Sequence, residues 1–287
     1  MNCSIFTLRF QGRLIDMIES DWILDKRDIF TEELFQPLDE EVEGTTPDMC
    51  WVQNVDTGEY FLFKPNTFGG NESYNEYVAY NLATRLGISC ARVMVGEMFG
   101  KVGCLSHRMD GTLRYRVSDG YSLHRCDQLF NNEKPDSDGL VYDSNVELSF
   151  KGLLPYVSEE TATSLIRMMF LDCIIKNCDR HPGNYSFYIN WQRIICQLAP
   201  LYDHGLSLGS ASRDTSLFPY EGMGELSFKD LFSVLRENHI EIVGPLLERL
   251  LGDNFSELLK KLWCEQFILD RLEFLGDNSR VRKASWF

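Results

Sequence analysis

After a long apolar run, the chain reads Asn177–Cys178–Asp179–Arg180–His181–Pro182–Gly183–Asn184. Asp179 and Asn184 stand five positions apart on what reads as a loop. At that spacing a carboxylate can accept a proton from a hydroxyl while the amide oxygen reaches a metal ion. Downstream, past a candidate strand pair, comes Ala199–Pro200–Leu201–Tyr202–Asp203–His204–Gly205. An aspartate before a glycine at a strand end suits a magnesium ion held against phosphate oxygens. Upstream, Phe61–Leu62–Phe63–Lys64 ends an apolar strand on a lysine, and Glu76 on the following helix is the candidate counter-ion for it. Gly44–Thr45–Thr46–Pro47–Asp48 lies where a loop covering phosphates would precede the first firm strand. In chain order, lysine, glutamate, aspartate with asparagine five later, and a second aspartate fit the parts of a phosphoryl-transfer site.

Taken one at a time, each part also fits a structural role. Asp179–Arg180 reads as a capped turn with an ion pair, Lys64 as a snorkelling strand end, Asp203–His204–Gly205 as a turn, and Glu76 as a solvated helix position. Their joint order in matching contexts favours the chemical reading. His181 and His204 flank the set, and a backbone hydrogen bond that fixes the loop is the simpler role for them. Arg180 reads as the partner of an acid or a backbone carbonyl.

The elements that must position these residues follow from periodicity. Ser4–Phe10 and Arg13–Ile18 read as a weak hairpin, and Met49–Val55 with Glu59–Lys64 as a firmer one around Asp56–Thr57–Gly58. Tyr74, Val78, Leu82 and Leu86 repeat at helical spacing, and Gly87 is a stop signal for a helix from about Ser73. Ala91–Met98 and Lys101–Leu105 are strand candidates joined across Phe99–Gly100. From Ser158 a helix continues through Ile175, with Glu159 and Glu160 placed favourably in its first turn. Tyr185–Asn190 and Arg193–Leu198 form a short strand pair, Asn131–Asp143 a polar surface loop, and helices are expected over Phe228–Glu237, Ile240–Leu251 and Asn254–Phe274.

Composition narrows the class. The 287 residues carry 28 basic and 43 acidic side chains, a net charge of −15. Such a surface disfavours nucleic-acid backbones and anionic lipid, so neither nucleic acid nor membrane is expected as a partner. No apolar stretch approaches the ~20 residues of a membrane-spanning helix, and the start lacks a basic residue before an apolar core. Nine scattered cysteines without a C-x-x-C pair read as reduced, mostly buried thiols, which places the chain in the cytoplasm. A zinc site from Cys173, Cys178, His181 and His204 has no standard ligand spacing.

The run Asn177–His181 with Asn184 resembles the catalytic loop of the HipA-like kinases. Tyr60–Lys64, the Asn75–Gly87 helix ending in Leu-Gly-Ile, Val102–Ser106 and Leu198–Ser207 resemble the same family, so the likeness spans about residues 44–210. It implies an α+β, bilobal protein-kinase-like fold: residues 1–106 as a small antiparallel-sheet N-lobe with one helix, and residues 107–287 as a larger helical C-lobe. It further implies a Ser/Thr protein kinase that uses ATP and magnesium, with autophosphorylation in the Thr45–Thr46 loop. The catalytic roles then fall on Asp179 as base and on Lys64 and Glu76 as phosphate grip. Nucleotide contacts fall on Lys64, Gly44, Thr45, Thr46, Leu105 and His107, and metal contacts on Asn184 and Asp203. A protein substrate and an antitoxin or other regulatory partner are implied as well. The alternatives are a phosphoinositide-type lipid kinase, which shares the Asp-Arg-His-x-x-Asn pattern, a transferase that moves AMP, and a non-catalytic nucleotide-binding module.

Overall fold

The computed structural model describes residues 29–40, 42, 48–67, 70–109, 121–130, 146–190, 195–222 and 224–276. The expected hairpin within residues 4–18 and the loop 131–143 lie outside the described residues, as do Gly44, Thr45 and Thr46. The fold is mixed α/β, with a curled sheet and several helices. Its contacts divide the chain into two compact units, one comprising Met1–Leu82, Cys90–Arg116 and Tyr202–Ser210, the other Ala83–Ser89, Val117–Leu201 and Ala211–Phe287.

In the first unit, strands β1 (Ile29–Phe30), β2 (Phe35–Pro37), β3 (Cys50–Asn54), β4 (Tyr60–Pro65), β5 (Val93–Met98) and β6 (Lys101–His107) form one sheet in the order β1-β5-β6-β4-β3-β2. All neighbours pair antiparallel except β1 with β5. The strap Ile29–Pro37 is absent from the sequence reading, and it supplies both edges of the sheet. Thr31–Leu34 alone links those edges, a chain reach of at most about 18 Å, so the sheet has to curl. The sequence signal was missed because each strand has only two or three residues and neither carries an alternating run.

Alternation in β4 sends Phe61 and Phe63 to one face and Leu62 and Lys64 to the other. Phe61 and Phe63 join Phe30, Phe35, Val52, Met94, Met98 and Leu105 in one buried cluster. Edge-on ring contacts tie it together, Phe30–Phe35 at 5.7 Å and Phe35–Phe61 at 5.6 Å. The turns follow local chemistry. Asn54 Oδ1 accepts from the backbone N–H groups of Asp56 and Thr57, and Gly58 takes φ +71°. Phe99 and Gly100 both have positive φ, as a two-residue hairpin of matching twist requires. Helix α1 (Glu72–Leu86) ends at Gly87, where φ +73° and the bond from Ile88 N–H to the Ala83 carbonyl close its last turn.

In the second unit, β7 (Tyr121–Arg125), β8 (Ser186–Asn190) and β9 (Ile195–Leu198) form an antiparallel sheet. Short helices α2 (Cys126–Phe130) and α3 (Phe150–Leu153) precede α4 (Glu159–Ile175). Ser158 caps α4 by accepting from Thr161 N–H. Every residue of α4 from Met168 to Ile175 is buried, so this helix is the core of its unit and packs against β9 and three later helices. Those are α5 (Phe228–Asn238), α6 (Ile240–Leu251) and α8 (Glu265–Phe274), with α7 (Asp253–Lys261) between the last two. The single helix expected over Asn254–Phe274 is thus two. Trp263 sits at φ +52°, and bonds from Trp263 N–H to Lys260 O and from Cys264 N–H to Leu259 O end α7. That motif usually announces itself by a glycine, and here a tryptophan holds the left-handed position.

Candidate active site

In the first unit, Lys64 is the penultimate residue of β4, with its ammonium on the α1 face of the sheet. Its Nζ donates to Glu76 Oε1 at 3.1 Å and to Asp203 Oδ1 at 2.8 Å. Glu76 is 2% exposed and Lys64 16%, whereas Asp203 is 40% exposed. The second Glu76 oxygen accepts from the His204 backbone N–H at 2.9 Å. One carboxylate therefore fixes both the lysine and the loop that carries Asp203.

Burial works against charge on Lys64, but the carboxylates of Asp203 and Glu76 outweigh it and hold the lysine pKa above its ordinary value. Burial would raise the Glu76 pKa, yet Lys64 and the His204 hydrogen bond bring it well below the usual carboxylate range. Lys64 is therefore charged at every working pH. Two carboxylates around one ammonium leave a net negative charge on the Asp203 side, which suits a cation. Cys104 pairs with Lys64 across the β4–β6 ladder, and burial together with Glu76 pushes its thiol up, so it stays neutral.

The depressed Glu76 pKa makes a pH prediction with a definite sign. A carboxylate with a lowered native pKa stabilises the fold above its unfolded value of about 4.3 and loses that contribution as pH falls further. Glu76→Gln should therefore be clearly less stable than wild type at pH 7. The gap, read from urea midpoints, should narrow steadily below about pH 4.3. A gap constant from pH 7 to pH 3 would contradict the charged pairing.

In the second unit, the Asn177–Asn184 loop leaves α4 through Lys176, which takes the left-handed conformation at φ +56°. Asp172, near the end of α4 and 1% exposed, gathers the loop. Its carboxylate accepts from Arg180 Nε at 3.0 Å, from a second guanidinium nitrogen at 3.0 Å, and from Asn177 Nδ2 at 2.9 Å. Arg180, wholly buried, also donates to the Asn184 carbonyl at 2.6 Å. Asn184 Nδ2 donates to the Asp179 carbonyl at 2.8 Å and to its Oδ2 at 3.3 Å, leaving Oδ1 as its remaining acceptor. His181 Nδ1 accepts from Gly183 N–H at 3.1 Å, which fixes the turn between Asp179 and Asn184.

Among the expected site residues, Lys64, Glu76 and Asp203 come together, and so do Asp179 and Asn184. Leu105 and His107 do not join Lys64. Leu105 pairs with Phe63 and His107 with Phe61, so both point to the face opposite Lys64. The His107 ring stands edge-on to Phe61 at 4.8 Å, with Nε2 3.4 Å from Glu59 Oε1. On the Lys64 face of β6 stand Cys104 and Ser106 instead. Sequence reasoning also passed over Asp172 and Asn75. The available signal for Asp172 was one acid inside the apolar run Met168–Ile175, where a buried charge needs a partner.

Among the described residues no three His, Cys, Asp or Glu side chains are grouped to hold a metal. Also among the described residues, no helix is long and apolar enough to cross a membrane, and seven cysteines are free.

A family model for the HipA-like C-terminal domain matches residues 38–237. No curated protein matches the chain. The crystal structure of the Helicobacter pylori proinflammatory kinase CtkA is similar at a TM-score of 0.61, with 14% identity over 86% of this chain and 95% of that one. At that identity the likeness speaks for the fold. A Shewanella oneidensis MR-1 HipA, solved with HipB and its operator DNA, aligns at a TM-score of 0.47 and 14% identity, covering 95% of this chain and 72% of that one.

Proposed function

We propose a function from a plain premise: this chain belongs to the HipA-like C-terminal domain family. The proposal is an ATP- and magnesium-dependent kinase that moves the γ-phosphate of ATP to a serine or threonine hydroxyl of a protein. The observation that carries it is Lys64 bonded at once to Glu76 and Asp203. That trio is the grip a kinase keeps on nucleotide phosphates and their metal.

On this reading Lys64 binds phosphate oxygens and Glu76 keeps its ammonium in place. The metal role is assigned residue by residue: in the first unit Asp203 offers a partly exposed carboxylate, and in the second Asn184 offers an amide oxygen whose NH2 is already engaged. Bound there, magnesium neutralises charge that develops on the phosphates. Asp179 accepts the proton of the acceptor hydroxyl, and Asn184 orients it for that task through the contact to Oδ2. The family also points to a small lobe over residues 1–106 and a helical lobe over 107–287, and to an antitoxin-like protein partner. The expectation that nucleic acid is no partner rests on net charge alone, and the HipA solved with HipB and operator DNA lends it no support.

Melting curves with ATP test the binding half. At about 100 times the dissociation constant a ligand adds ~2.7 kcal/mol of stability. Wild type should melt several degrees higher with ATP and magnesium than with ATP and a chelator. Lys64→Met should lose most of that rise. A wild-type protein whose melting is indifferent to ATP and magnesium together would overturn the proposal.

A further inference from the structure

The segment Tyr202–Ser210 folds with the sheet and α1, although its chain neighbours on both sides belong to the other unit. Its backbone is improbable when left to itself. Asp203 at φ +61° and Leu208 at φ +52° are both left-handed without being glycine, with Gly209 at φ +85° beside them. Such conformations persist where surrounding contacts over-determine them. The contacts come from α1. Asn75, 2% exposed, donates both protons of Nδ2, to the Gly205 carbonyl at 2.6 Å and to Ser210 Oγ at 2.6 Å. Glu76, the next residue, takes the His204 N–H. Gly205 lies so close that a Cβ there would sit 3.3 Å from Glu72 Cβ.

We infer that Asn75 is a positioning residue for the metal-binding carboxylate: it clamps the Asp203 loop to helix α1, so that Asp203 is presented to magnesium in the register set by Lys64 and Glu76. The inference rests on the nucleotide-binding reading above. Asn75 touches neither phosphate nor metal in this account. It holds the far side of the loop at Gly205 and Ser210, while Glu76 holds the near side at His204. Without the clamp, the Asp203 loop loses the two bonds from Asn75 and keeps those from Glu76 to His204 and from Lys64 to Asp203.

The test uses the full chain and four proteins: wild type, Asn75→Leu, which keeps size without donors, Ser210→Ala, which removes one acceptor, and Ser210→Thr, which restores a hydroxyl. Ser210 is exposed, so its variants fold whatever Asn75→Leu does. Two quantities are read. Hydrogen exchange of peptides covering residues 202–210, without nucleotide, reports the clamp itself. The magnesium concentration at half-maximal ATP-induced thermal shift reports its consequence. Asn75→Leu should exchange about ten-fold faster in that segment and need ~10-fold or more magnesium. Ser210→Ala should move both readings the same way by less, and Ser210→Thr should restore them.

Unchanged exchange in Asn75→Leu and Ser210→Ala would overturn the clamp. Faster exchange with an unchanged magnesium midpoint would make Asn75 merely structural and overturn its positioning role. If wild type itself shows no shift with ATP and magnesium, the nucleotide reading falls first. That outcome is recognised from wild type alone, before any variant is compared.

Discussion

Asp179→Ala is expected to lose phosphate transfer by ~10²–10⁴-fold, the contribution of a general base, and to keep the melting-temperature rise that ATP and magnesium give wild type. On the proposed roles Asp179 serves the acceptor hydroxyl and Lys64 the phosphates, and the Asp179 carboxylate accepts from Asn184 Nδ2. Asp203→Ala should lose transfer and the melting rise together, because that carboxylate bonds Lys64 and is the one assigned to the cation in the proposal. The two aspartates thus separate by their binding signatures, although both abolish turnover. Loss of the melting rise in Asp179→Ala, with retention in Asp203→Ala, would reverse the assignment.

Arg180→Met should be the most damaging substitution for stability among the residues of the Asn177–Asn184 loop. Arg180 is wholly buried and Asp172 is 1% exposed, so removing the guanidinium leaves a carboxylate uncompensated in the core. Breaking such a pair from one side costs about 3–5 kcal/mol, on the order of 10 °C in melting temperature. The same change frees the Asn184 carbonyl, so Asn184, and Asp179 bonded to it, lose that anchor. Replacing both partners, as Asp172→Leu with Arg180→Met, should recover part of the stability, since a buried apolar pair needs no counter-charge. Recovery of transfer is not expected from the double variant, because the loop anchor is still missing. Urea midpoints check the first part, and a loss below about 1 kcal/mol for Arg180→Met would contradict a buried, structure-bearing pair.

The legibility of this chain varied with the physics of each element. Helix α1 was readable because Tyr74, Val78, Leu82 and Leu86 lie on one face and Gly87 supplies a left-handed stop. Strand β4 was readable because aromatic residues alternate up to Lys64. Trp263 hides a helix end, since the left-handed position that normally asks for glycine is occupied by a large side chain, whereas the end of α4 at Ile175 was legible although Lys176 holds the same position. The strap Ile29–Pro37 draws its stability from ring packing against Phe61 and Phe63, which only the folded sheet reveals. Lys64, Glu76 and Asp203, which the structure bonds together, and Asp179 and Asn184, likewise bonded, drew notice in the sequence because phosphoryl-transfer chemistry asks for those residue types in that order. Leu105 and His107 were placed by analogy of position, and strand alternation turned both to the aromatic face. Asp172 and Asn75 were silent, because a residue that acts by holding another leaves no spacing rule of its own.

The proposed reaction is transfer of a γ-phosphate to a protein hydroxyl. It is tested most directly by incubating the purified chain with γ-labelled ATP, magnesium and a cell lysate, and mapping the label by mass spectrometry. Asp179→Ala and a chelator serve as controls. The account predicts phosphoserine or phosphothreonine on protein that disappears in both controls. With phosphoinositide vesicles added to a parallel reaction, label on the vesicles alone, adenylylated protein in place of phosphorylated protein, or phosphorylation undiminished in Asp179→Ala would contradict it.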